Sequence, residues 1–114
     1  MISKNGAFRT EKRAIGGGEG EIIINHRLEK ELLHGKSRLC AELIIEPGCS
    51  IGQHPHTGEV EFFYVLEGEL LSQNADGTEE PFTVGDVMAT GGGESHGLRN
   101  ASDKPAKMLA IIAI

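Results

Sequence analysis

His54, His56, Glu61 and His96 are four side chains able to ligate a metal ion, and bringing them together constrains this chain more than any other feature. Side chains two apart on a strand share one face, so His54 and His56 can point together into an interior. Glu61 would fall on the opposite face if the strand ran on unbroken from His56. The chain must therefore turn between them, and Thr57-Gly58 supplies residues suited to that turn. His96 is distant in sequence and joins the other three only if remote strands fold against each other.

The rest of the sequence agrees with a β fold. Short apolar or alternating runs are separated by Gly, Pro and Asp, which reads as a sandwich or small barrel. The expected strands are Glu21 to Asn25, Leu39 to Glu46, Ser50 to His56, Glu61 to Glu67, Glu69 to Asn74, Glu79 to Thr83, Val87 to Thr90, Ser95 to Asn100 and Lys107 to Ile114. Asp76-Gly77 between two such runs signals a hairpin. One helical turn is expected from Leu28 to Leu33, where Leu28, Leu32 and Leu33 recur at helical spacing. The first 20 residues, ending in a glycine run, read as an arm or edge strand plus a flexible loop, with residues 21–114 forming one barrel domain.

Composition narrows the function. A chain of 114 residues with 39% hydrophobic and 25% charged content suits one globular core. Its 11 basic and 17 acidic residues give a net charge of −6 without a Lys/Arg cluster, which argues against nucleic acid as a partner. No apolar run has the length of a signal peptide core or a membrane span, so a cytoplasmic location is expected. Cys40 and Cys49 lack the density of a secreted disulfide scaffold and are expected to be free thiols, Cys49 being a remote candidate for a fifth ligand.

Three imidazoles and one carboxylate suit one divalent transition metal, Mn, Fe, Co, Ni, Cu or Zn, and suit Mg or Ca poorly. Four protein ligands would close a tetrahedral zinc site, whereas an octahedral ion keeps two positions free for a chelating acid or dioxygen. These residues closely resemble the two motifs of the cupin superfamily. Gly48, His54, His56, Glu61 and Gly68 match the first motif throughout; Gly85, Gly93, His96 and Asn100 match the second, with Gly91 standing where the family has proline. The resemblance implies an all-β double-stranded β-helix of the jelly-roll type, with His54, His56, Glu61 and His96 as metal ligands. It also implies a homodimer and a small-molecule substrate. Proline restricts φ and glycine does not, so Gly91 is expected to loosen the turn before His96.

Other side chains are weaker candidates. Glu59, in the turn before Glu61, is a possible lid acid, and Glu94, two residues before His96, is a possible partner for a ligand imidazole. Phe63 and Val65 share parity with Glu61 and are expected to line the pocket, with Met88 as a further lining residue; Phe62 and Tyr64 then point outward. Lys36, Arg38 and Arg99 are the cations available for an anionic ligand, Arg99 by parity facing outward. The expected activity is a metal-dependent enzyme of dioxygenase or decarboxylase type acting on a small acidic or oxygen-chelating molecule. The alternative is a non-catalytic module that holds or senses a small ligand in the same pocket.

Overall fold

The computed structural model describes residues 1–114 as ten strands and one 3-10 turn, with no α-helix. The strands are β1 (Arg9–Arg13), β2 (Ile22–Leu28), β3 (Ser37–Ile45), β4 (Ser50–Pro55), β5 (Val60–Glu67), β6 (Glu69–Gln73), β7 (Glu79–Thr83), β8 (Val87–Gly91), β9 (Ser95–Arg99) and β10 (Ala106–Ala113). They form two antiparallel sheets, one ordered β1-β2-β3-β10-β5-β8 and the other β4-β9-β6-β7. This is the double-stranded β-helix. Period-two alternation drives it: along β10, Ala106, Met108, Ala110 and Ile112 are buried while the residues between them are half-exposed. The inward sets of both sheets meet in one core that includes Ile24, Leu43, Ile51, Phe63, Val65 and Leu98.

The expected helical turn shrinks to Lys30–Leu33 and buries nothing, because Leu28 belongs to β2 and the left-handed His34 (φ 51°) and Gly35 (φ 71°) stop the turn after four residues. The N-terminal segment is better ordered than a flexible loop. β1 pairs with β2, and the glycine run that follows lies along β4, with Gly52 N donating to Ile15 O and Ser50 N to Glu19 O. Glycine is required where these backbones touch: a Cβ on Gly18 would collide with the carbonyl oxygen of Ser50, and one on Gly52 with that of Gly16. The entropy argument that predicted a loose loop was outweighed by a close approach that only glycine permits.

Two irregularities set the orientation of site residues. In β4, Ile51 faces Leu98 and His54 faces His96, so three steps on β4 match two on β9. This bulge lets Ile51 and His54, on opposite parities, both turn inward. In β3, Leu39 faces Ile112 and Ser37 faces Ala113, which leaves Arg38 as the extra residue. Its side chain reaches the mouth of the barrel. The two motif ends are tied together as well. Gly48 N donates to Asn100 O, and the buried Asn100 amide donates to the carbonyls of Ile45 (2.8 Å) and Lys104 (2.7 Å).

Candidate metal centre

β4 carries His54 at its end and His56 just past it; the chain then turns through Gly58 (φ 74°) and re-enters as β5 with Glu61 pointing inward. His96 comes from β9, directly across from His54. One donor atom from each of the four residues lies within 4.8 Å of all the others. His96 Nε2 stands 2.9 Å from His54 Nε2 and 3.1 Å from His56 Nε2, while Glu61 Oε1 is 2.9 Å from His56 Nε2 and 3.2 Å from His96 Nε2.

The opposite ring nitrogens explain why these atoms face one another. His54 Nδ1 donates to Gly52 O (2.8 Å), His56 Nδ1 donates to the Glu59 carboxylate (2.9 Å), and His96 Nδ1 is 3.0 Å from Thr90 Oγ1. With the Nδ1 protons directed outward, three Nε2 lone pairs and a carboxylate converge on one point. Such a set is mutually repulsive until a cation sits among it, so the donors fit a bound metal. At bond lengths of about 2.1 Å, neighbouring donors stand about 3.0 Å apart on an octahedral ion and about 3.4 Å apart on a tetrahedral one. Separations of 2.9 to 3.2 Å between four pairs of donors are of the size that a single bound cation would require of its ligands.

Packing holds the rings in place. Phe63 stacks on the His96 imidazole at 4.8 Å between centroids, with ring planes 16° apart. Burial pushes the His54 pKa below that of a free imidazole, so its neutral, ligating form persists to lower pH. Protonation competes with ligation at all three histidines, and the centre is expected to release metal as the pH falls below about 6. Metal content after dialysis across a pH series measures this; full retention at pH 4 would contradict imidazole ligation.

Glu59 is placed behind His56. Its carboxylate takes a forked contact from Arg38 (3.0 and 2.7 Å) while accepting from His56 Nδ1. The Arg38 guanidinium holds the Glu59 carboxyl below the usual carboxylate range, and the His56 hydrogen bond adds to the effect, so Glu59 stays ionised as the acceptor. Glu59→Gln is expected to weaken metal binding about tenfold and Glu59→Ala nearer 100-fold. Competition against a chromophoric chelator gives both values, and wild-type affinity in both variants would deny Glu59 this task.

Glu94 does not reach the imidazoles. It lies exposed in the turn before β9, which begins only at Ser95, so strand alternation back from His96 does not extend to it; Thr90 stands at His96 Nδ1 instead. No sequence pattern marks Thr90, whose position depends on β8 of one sheet facing β9 of the other. Phe63 lines the cavity that reaches the donors, whereas Val65 is buried deeper in the core. Met88 borders a second cavity of about 660 Å³, bounded by β6, β7, β8 and β9 on the far side of His96. Cys40 and Cys49 are free thiols, neither of them in the donor cluster. Arg99 faces outward onto Glu79. Gly91 has a local reason: a Cβ there would stand 3.0 Å from Glu59 O and 3.2 Å from Val60 Cβ.

The cavity in front of the donors has a volume of about 220 Å³. His54, His56 and Glu61 form its inner end, Ile24, Leu43, Ile51, Phe63 and Ile112 are among its apolar wall, and Arg13 and Arg38 stand at its rim.

Comparison with known proteins agrees with this architecture. The cupin domain family model matches residues 41–112. The "oxalate-binding protein" of Thermotoga maritima is 41% identical over 98 residues, covering 86% of this chain and 80% of that protein. A Thermotoga maritima crystal structure described as a "predicted oxalate decarboxylase" superposes with a TM-score of 0.92 at 36% identity, covering 100% of this chain and 99% of the other. A polyketide cyclase from Streptomyces resistomycificus gives a TM-score of 0.83 at 20% identity, over 99% of this chain and 78% of its own, which speaks to fold alone.

Proposed function

Since the chain belongs to the cupin family, we propose that it holds one divalent transition metal through His54, His56, Glu61 and His96 and binds a small oxygen-chelating acid on that metal. The observation that carries this reading is the convergence of three Nε2 atoms and the Glu61 carboxylate, with each Nδ1 held by an oxygen behind it. The names borne by the Thermotoga maritima matches support an acid of the oxalate type. A bound metal would supply Lewis acidity toward the chelating oxygens of that acid.

The chain's own residues favour some reactions over others. A decarboxylase must deliver a proton to the carbon that loses CO₂. Apart from the ligands themselves, the only ionisable side chains lining the cavity are Arg13 and Arg38, and arginine does not give up its proton in this pH range. Glu59 is committed to Arg38 and His56. Incorporation of both atoms of dioxygen into an acid with an oxidisable C–H or C=C bond takes up no net proton, so dioxygenase chemistry on such an acid, which excludes oxalate itself, is the favoured enzymatic reading. The same lack of an acid favours, as a second reading, a module that binds the ligand without converting it.

The homodimer has support on the outer face of the six-stranded sheet, where Phe62, Tyr64, Leu66 and Val87 are between 39% and 63% exposed on adjacent strands. No helix is long and apolar enough to cross a membrane.

The deciding experiment quantifies metal in the purified protein, then measures binding and turnover of small acids under air and under nitrogen, with and without chelator. One metal per chain, with acid binding lost on chelation and in His56→Ala, supports the proposal. Oxygen consumption selects the dioxygenase, and saturable binding without product selects the module. Acid binding that survives chelation would overturn both.

A further inference from the structure

Resting on the metal-and-acid reading above, we infer that the ligand is a chelating acid with an aliphatic chain, such as a 2-oxo acid of five or six carbons, and that oxalate underuses the site. The inference comes from what faces the donors. Across the cavity from His54, His56 and Glu61 the wall is hydrocarbon: Ile24, Leu43, Ile51 and Phe63 are each at most 3% exposed and offer no side-chain donor. The two arginines do not change this, since their side chains are 55% and 50% exposed at the rim. Arg38 is already forked onto Glu59, and Arg13 lies 3.7 Å from Glu11.

A flat dianion chelated through one edge turns its other two oxygens toward that wall. Buried oxygens without donors are costly, the more so when they share a charge. A 2-oxo acid chelates through one carboxylate oxygen and its keto oxygen, and presents methylenes to the same surface. Each methylene buried there tightens binding roughly fourfold. The volume sets the limit. At about 30 Å³ per water-sized group, 220 Å³ holds about seven such groups, enough for a chain of three or four carbons together with part of the chelating end. It is smaller than the roughly 300 to 1,000 Å³ of pockets that take drug-sized ligands.

The test is calorimetric titration of the metal-loaded full chain with oxalate, glyoxylate, pyruvate, 2-oxobutanoate, 2-oxopentanoate and 4-methyl-2-oxopentanoate. The expected result is a roughly fourfold gain in affinity per methylene up to five or six carbons, with the branched acid at least tenfold tighter than oxalate. Leu39, a half-buried residue of the same wall, gives the second measurement: Leu39→Phe is expected to move the optimum to shorter acids, with metal content read in parallel. Oxalate binding tightest, with affinity flat or falling along the series, overturns the inference while leaving the metal-and-acid reading intact. An optimum unmoved by Leu39→Phe also overturns it, since the chain would then lodge elsewhere. If no acid binds the metal-loaded protein, oxalate included, both readings fall together.

Discussion

Replacing His96 with alanine is expected to abolish the metal-dependent rise in melting temperature. A ligand present at a thousandfold its Kd stabilises the folded state by about 4 kcal/mol, which for a chain of this size corresponds to a rise on the order of 15 °C. His96 is the donor on which the others depend most visibly. Its Nε2 lies about 3 Å from those of both other histidines and 3.2 Å from Glu61 Oε1, and its ring is held by Phe63 and Thr90. Its loss should weaken metal binding by more than the roughly 10- to 100-fold that follows loss of a partner behind a ligand.

The readout is the difference between melting curves of the same variant with and without metal. Packing lost with the buried imidazole lowers both curves and cancels. A metal-dependent increment equal to that of the wild type would remove His96 from the centre.

Gly52→Ala should produce the second large effect, at a residue that touches no metal. A Cβ at position 52 would run into the Gly16 carbonyl oxygen, stand 2.8 Å from Gly16 C and lie 3.0 Å from Gly18 N. All three are backbone atoms, so nothing flexible can yield. Overpacking of this kind typically costs about 1–3 kcal/mol, a fall of roughly 5–15 °C in melting temperature. Gly52 O also accepts the His54 Nδ1 hydrogen bond, so displacing this stretch should cost about tenfold or more in metal affinity.

Gly58→Ala is the control. Gly58 has a positive φ of 74° and open space around its α-carbon, so the expected cost is the backbone preference alone, about 1 kcal/mol. Equal melting temperatures for Gly52→Ala and the wild type would mean that the glycine segment does not lie on β4.

The contrast between these two glycines shows what the sequence could and could not reveal. The strands and most of their boundaries were legible because alternation is local and the turn residues between runs, such as Gly58 and Asp76-Gly77, act through their own φ preferences. The outward placement of Phe62 and Tyr64 followed from parity within one strand. The β4 bulge was not legible. Ser50 to His56 reads as unbroken, and only pairing with β9 shows that Ile51 and His54 both turn inward. Glu94 stays outside because alternation holds only within a strand, and β9 starts one residue after it. Glu59 was legible as a candidate from its place in the turn, but its contact with His56 and Arg38 was not, because β3 meets this turn only in the folded barrel; Thr90 carried no signal.

Strand β10 stands between β3 and β5 in the larger sheet. Until Ala106–Ala113 has left the ribosome, the β1-β2-β3 ribbon and the β5-β8 pair each keep an unpaired edge, a hazard for association between nascent chains. All four donors and the groups behind their imidazoles precede β10 in the chain, whereas the apolar wall facing them needs β10 to hold β3 beside β5. Docking of this middle strand is what joins Glu61 on β5 to the wall that β2 and β3 supply.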